Sequence, residues 1–283
     1  MIRFIILFGF MYLFLHLHAT GDISKYINMK YSYLTFIMIF VFAFLAFYQL
    51  IKWNKQGKNK PEEEHHHDHH GHDHSKDENT FLKKVMVYGL LLFPLVTGIF
   101  LPIATLDSNI VKAKGFHFAE IDNDKDQYAN HQILRPDTTL YYDADQYKKM
   151  STSDRAKYGK GNSLTLNDDN FLRGLETVYN FPGDFEGKTI SLKGFVYHGD
   201  DLEKNQLFVF RFGIVHCIAD AGVYGMMLDF PKDVNYKDDE WLQVEGTLST
   251  TFYQPFKQTI PYLKVTKWKV VKAPKDEYVY RQY

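Results

Sequence analysis

Apolar residues along this chain gather into three windows of membrane-spanning length: 2–20 (IRFIILFGFMYLFLHLHAT), 33–51 (YLTFIMIFVFAFLAFYQLI) and 85–106 (VMVYGLLLFPLVTGIFLPIATL). Each approaches the ~20 residues that cross a ~30 Å hydrocarbon core. Their only charge is Arg3, at an edge. Three transmembrane helices within residues 1–106 are the economical reading. The first window also has features of a secretory signal, with Arg3 ahead of a Phe/Leu-rich core and a small pair, Ala19-Thr20. A retained helix is favoured because that core outruns a usual signal and a second span follows closely. Pro94, Pro102, Gly89 and Gly98 predict kinks and close helix packing in the third span. His16 and His18 read as interfacial side chains, with a buried role against a partner helix left open.

Beyond the third window the pattern changes twice. Residues 107–166 are polar and weakly periodic, a spacer with one short helix. Asn167 or Asp168 then caps a helix to about Tyr179, since Phe171, Leu172, Leu175, Val178 and Tyr179 recur at helical spacing and Phe181-Pro182-Gly183 stops it. From Gly187 onward the segments read as strands, over 188–198, 206–219, 224–230, 240–251 and 262–272. Five strands with Gly194 and Gly213 inside the first two predict a five-stranded OB-like barrel for the domain 167–283. Pro231 to Asp239 sits where that fold often has a short connecting helix.

Charge sets the orientation and narrows the partners. The loop 52–84 carries Lys52, Lys55, Lys58, Lys60, Lys76, Lys83 and Lys84, whereas the loop between the first two spans carries Lys25 and Lys30. The positive-inside rule therefore places the N-terminus and loop 52–84 in the cytoplasm of a multi-pass cell-membrane protein, and the C-terminal domain outside. Residues 107–283 hold 23 Lys and Arg against 26 Asp and Glu, a net of −3. That balance is no footprint for nucleic acid. Phe208, Phe210 and Phe212 alternate as a base-stacking platform would, but period-two aromatics are more often core.

Loop 52–84 also holds seven of the chain's thirteen histidines: His65, His66, His67, His69, His70, His72 and His74. Histidine is a common ligand of zinc, copper and nickel, and the interleaved Asp68 and Asp73 would offset a captured cation's charge. Divalent metal, zinc first, is one reading. A solvated low-complexity spacer is the other. A second candidate site joins His216, Cys217 and Asp220, with Arg211 upstream and His198 recruited from a neighbouring strand. Against it, His216 and Cys217 point to opposite faces of a regular strand and could share an ion only at a bulge or strand end. In the plainer reading Cys217 is a small buried residue, His216 an exposed or hydrogen-bonded one, and Asp220 a turn residue before Gly222. A single cysteine allows no intrachain disulfide, and no phosphate-cradling loop, HExxH helix or GxSxG elbow appears. No enzymatic activity is expected.

The segments HLHATGDISKYINMKYSY, GLLLFPLVTGIFLP, GKTISLKGFVYH, RFGIVHCIADAGVYG and WLQVEGTL and the aromatic tail resemble, in order, the YcgQ-like family of proposed two-component permease subunits of Gram-positive bacteria. The resemblance covers the chain except the histidine loop and parts of the spacer. It implies an N-terminal helical membrane domain, a C-terminal OB-like domain and a larger polytopic permease as partner. Members commonly carry paired cysteines where this chain has His216-Cys217, which keeps a metal site in view and puts paired-thiol chemistry in doubt. The expected function is a membrane-anchored accessory subunit of a permease, linked to divalent metal. The alternatives are a stand-alone metal- or ligand-binding receptor and, more distantly, a thiol redox enzyme using Cys217.

Overall fold

The apolar windows fold as helices: α1 (Ile2–Thr20), α2 (Ser32–Lys58) and α3 (Asp77–Phe100). The computed structural model describes residues 1–58, 77–103, 105–114, 144–199 and 202–282. Among these, three helices are long and apolar enough to cross a membrane. Gly21, at φ 81°, closes α1 in the left-handed region that glycine enters without steric cost. Helix α3 begins earlier than its apolar window and stops at Phe100 rather than near 106, because Pro102 disfavours helical backbone at Leu101.

Helices α1 and α2 run antiparallel. Phe10 and Phe14 stack on Phe42 at 5.6 and 5.9 Å, while His18 Nε2 lies 2.9 Å from Thr35 Oγ1. Helix α3 runs parallel to α1, with Arg3 Nε donating to Tyr88 Oη at 3.3 Å near one end. Small residues set their approach. A Cβ on Gly9 would lie 2.9 Å from Leu95, and one on Gly98 3.2 Å from Leu13, whereas Gly89 has nothing within 4 Å. These helices belong to one compact unit, Met1–Ser24 with Met29–Ala104.

The second unit joins Lys25–Asn28 to Thr105–Tyr283. Residues 107–166, expected as a spacer with one short helix, contain α4 (Ser108–Lys114), α5 (Ala144–Tyr158) and strand β1 (Ser163–Thr165). Tyr158, Leu164 and Leu166 enter the core. Helix α5 has no apolar stripe to betray it; guanidinium forks hold it instead. Arg173 Nε reaches Asp154 Oδ2 at 3.0 Å, and Arg155 Nη2 reaches Asp184 Oδ1 at 2.9 Å.

Helix α6 (Phe171–Asn180) starts later than expected, with Asn170 at the N-cap position. Asn167 is not the cap because its Oδ1 accepts from the backbone of Asp169 and Asn170 in an Asx turn, and Asp168 is drawn to Arg211. One helical turn, α7 (Pro182–Phe185), follows with proline at its first position.

The remaining strands are β2 (Thr189–Tyr197), β3 (Gln206–Ile214), β4 (Gly222–Asp229), β5 (Trp241–Tyr253), β6 (Gln258–Val270) and β7 (Tyr278–Tyr280). Strand β3 is shorter than the expected 206–219, since the chain turns after Ile214. Residues 231–239 form no helix. Together with the three apolar helices, the chain is an α-helical membrane region followed by a mostly β domain.

Pairing runs β1-β2-β5-β6-β4-β3-β7, and β2 also pairs with β3, so the pairs lead from β2 through β5, β6, β4 and β3 back to β2. Within that circuit β4–β6 is parallel and the other pairs are antiparallel. Both faces of β3 and β4 are buried, whereas burial alternates along β5 and much of β6. Ile190, Leu192, Val209, Met226, Leu242 and Val244 share one core with α6. Phe195, Phe208, Phe210, Phe212 and Trp241 form an aromatic layer on the other face. Each large side chain so buried contributes ~1.5–3 kcal/mol. Phe208, Phe210 and Phe212 are at most 3% exposed, which removes them as a base-stacking surface.

Backbone contact at β3 requires glycine on both neighbours. A Cβ on Gly194 of β2 would stand 2.3 Å from Phe210 O, and one on Gly225 of β4 only 1.9 Å from Val209 O.

Candidate functional site

The richest polar construction among the described residues is the turn after β3. Its organiser is Asp220, the third residue of a 3-10 turn (Ile218–Asp220). The carboxylate accepts backbone N–H groups from Val215 at 3.0 Å, His216 at 2.8 Å and Cys217 at 3.3 Å, and His216 Nδ1 lies 3.1 Å away. Cys217, half-buried, takes the N-cap position, and the Asp220 N–H donates to Cys217 O at 3.0 Å. The sequence offered these residues as metal ligands or as a turn; here they build a turn.

Three segments distant in sequence meet at this turn. Ile27 bridges antiparallel to Cys217, Asn28 N donates to His216 O at 2.9 Å, and Ile218 N donates to Tyr26 O at 2.8 Å. The Asn28 side chain, 4% exposed, donates to Val215 O at 2.9 Å and to Arg281 O at 3.0 Å. Arg281 N in turn donates to Ile214 O at 3.1 Å. The Arg281 guanidinium is buried against Glu176 Oε2 at 2.8 Å. Lys25–Asn28, from between the first two spans, are thereby a structural part of the C-terminal unit.

His198 lies elsewhere. Its Nδ1 is 2.7 Å from Asp238 Oδ1, which also accepts from the His198 backbone at 3.0 Å, while Lys112 Nζ holds Asp238 Oδ2 at 2.7 Å. Burial pushes the Asp238 carboxyl up, but the hydrogen bonds from Lys112 and His198 outweigh it and the group sits below its ordinary range. Asp239 beside it, at φ 67°, accepts from Ser108 N at 2.9 Å and Ser108 Oγ at 2.6 Å. Glu277 is raised, first by burial and then by the Asp239 charge. Burial likewise raises Tyr278, whose hydroxyl accepts from Leu106 N at 3.0 Å.

Among the described residues no three His, Cys, Asp or Glu side chains are placed to hold one metal ion. The candidate set of His198, His216, Cys217 and Asp220 is not gathered: each histidine is engaged by its own carboxylate, Asp238 or Asp220. His65, His66, His67, His69, His70, His72 and His74 lie outside the described residues.

The sequence reading missed Asn28, Glu176 and Arg281. Their only signal was negative, ordinary polar residues in short segments. Arg211, noticed only for its position, is 1% exposed, donates to Asp168 Oδ1 at 2.7 Å and faces the Trp241 ring at 5.2 Å.

Residues 2–117 match the DUF1980 N-terminal domain and residues 141–281 the DUF1980 C-terminal domain. The chain is 51% identical over 286 residues to the UPF0703 protein YcgQ of Bacillus subtilis (strain 168), with all of both chains covered. The chain belongs to the DUF1980 family. A second relative, from Streptococcus mutans serotype c (strain ATCC 700610 / UA159), is 35% identical over 288 residues, again across both whole chains. It is named as a candidate two-component membrane permease complex subunit. No solved structure matches. The turn at 215–220 draws on both DUF1980 regions, since Tyr26 to Asn28 come from the N-terminal match and the rest from the C-terminal one.

Proposed function

We propose that this chain is the accessory subunit of a two-component permease, its helices seated against a polytopic partner that carries the transport path. The observation that carries this reading is the whole-length match to the Streptococcus mutans relative and its name. The helices support it physically. Phe36, Phe40, Phe44 and Phe47 on α2 and Met86, Leu90 and Phe93 on α3 are exposed, offering apolar surface to lipid or to partner helices. No charged residue falls within the three apolar windows except Arg3 at an edge, so three such helices line no ion path of their own.

In this reading the β2-β5-β6-β4-β3 circuit is an OB-like barrel, supported by its pairing order and its single parallel contact, β4 with β6. The domain is extracytoplasmic, and the loop of lysines and histidines is cytoplasmic by the positive-inside rule. Inclusion of Lys25–Asn28 in the C-terminal unit agrees with three crossings, which put the first loop and everything after α3 on one side. The domain then serves as a docking or gating module with no catalytic step of its own. Divalent-metal handling rests on the composition of the run 65–74 alone.

Co-expression with a multi-span membrane protein encoded beside this chain, followed by purification in mild detergent, tests the reading. A stoichiometric complex is expected. Purification of this chain alone, with transport by the neighbour unaffected by its deletion, would replace the subunit with a stand-alone receptor. Deletion of residues 65–74 that leaves zinc content and metal tolerance unchanged would reduce the histidine run to a spacer.

A further inference from the structure

The helical unit contains a cavity of about 530 Å³ lined by cations and hydrocarbon together. Arg3, Lys83 and Lys84 supply the charge; Ile6, Leu7, Val87 and Leu91 supply apolar wall. Among the described residues no acidic side chain lines it. On α3 the lining residues fall at 83/84, 87/88 and 91, one face of a helix. Because α1 and α3 run parallel, the cations lie together at one end, with apolar wall extending roughly 6–12 Å further along the helices at ~1.5 Å per residue. The Arg3 bond to Tyr88 ties the two helices at this end.

We propose that this cavity binds one anionic phospholipid, its phosphate between Arg3, Lys83 and Lys84 and an acyl chain along Ile6, Val87 and Leu91. Charge complementarity selects the headgroup, since basic pockets between spanning helices take acidic lipid heads. The apolar wall selects a lipid over a free anion, because an acyl chain packs along Ile6, Val87 and Leu91 with dispersion contacts that a hydrated anion cannot make. The inference is independent of the permease reading: it concerns the helices of this chain alone.

The test is native mass spectrometry of the full chain released from mixed micelles containing equal amounts of palmitoyl-oleoyl phosphatidylglycerol and phosphatidylcholine. One retained phosphatidylglycerol per chain is expected. At roughly fivefold per basic side chain, the R3Q/K83Q/K84Q variant should lose on the order of 100-fold in that preference. Two exposed lysines at the same end of α2, Lys52 and Lys55, do not line the cavity, so K52Q/K55Q should keep it. Val87→Trp, which fills the groove with the charges intact, should lose the adduct and serves if the triple variant does not fold. Equal retention of both lipids by the parent would overturn the proposal. So would a triple variant that behaves as the parent, a K52Q/K55Q variant that loses as much as the triple, a V87W variant that keeps the adduct, or displacement of the lipid by millimolar inorganic phosphate.

Discussion

Asn28 is where a residue from between two membrane spans is locked into the C-terminal domain, and Asn28→Ala isolates that lock. The amide of Asn28 donates to Val215 O and Arg281 O from a site only 4% exposed, so truncation takes a donor from each of two carbonyls in a buried site. At about 1–2 kcal/mol for each acceptor left without its donor, the loss is about 2–4 kcal/mol. For a domain of this size each kcal/mol lowers the melting temperature by ~2–4 °C, so a fall on the order of 10 °C is expected. Asn28→Asp should be worse than Ala, since it faces a carboxylate toward the same two carbonyls in a buried site. The local signature is hydrogen exchange at Ile218, whose N–H donates to Tyr26 O. Its protection should drop in N28A while amides in the middle of β5 keep theirs. A melting temperature within 1–2 °C of the parent, with Ile218 still protected, would refute the reasoning.

Gly225→Ala places a methyl 1.9 Å from Val209 O, so the variant should show no cooperative thermal transition, a loss above ~4 kcal/mol. Glu176→Gln breaks the buried pair with Arg281 and should lower stability by about 3–5 kcal/mol in a denaturant titration. The double variant E176Q/R281M, which leaves no buried charge unpaired, should lose less than E176Q. Glu277→Gln should melt higher than the parent at pH 7. The raised folded pKa of Glu277 means its protonated form supports the fold below the ordinary value of 4.5 and that support is lost as pH climbs through the raised value. The advantage of the variant should therefore shrink as pH falls toward 4, and a gap that widens instead would show the wrong sign.

Much of the fold was legible because burial repeats along the chain. The first apolar window coincides with α1, and each of the five strand windows overlaps an observed strand, since short runs of β-branched and aromatic residues bounded by Gly, Asp, Asn and Pro mark a strand whether burial alternates, as in β5, or is continuous, as in β3. Gly194 was singled out as a bend and Gly98 as a packing contact; a Cβ would stand 2.3 Å from Phe210 O at Gly194 and 3.2 Å from the Leu13 side chain at Gly98. Helix α5 was not legible, because arginine forks to Asp154 and Asp184 hold it where an apolar stripe would have announced it. Strand β7 was missed because three residues carry too little pattern.

The candidate site was the least readable part. Sequence neighbours left two readings of His216, Cys217 and Asp220, a metal site joined by His198 or a plain turn; in the fold Asp220 accepts from the backbone of its own turn and His198 meets Asp238. The sequence by itself determined three apolar spans, a mostly β second half and the placement of positive charge, all properties that depend on local composition and period. Only the tertiary structure decided that Asn28 meets Val215 and Arg281, 187 and 253 residues away. A buried amide is recognised by the carbonyls it satisfies, and those are chosen by how the strands close, not by the residues beside it in the chain.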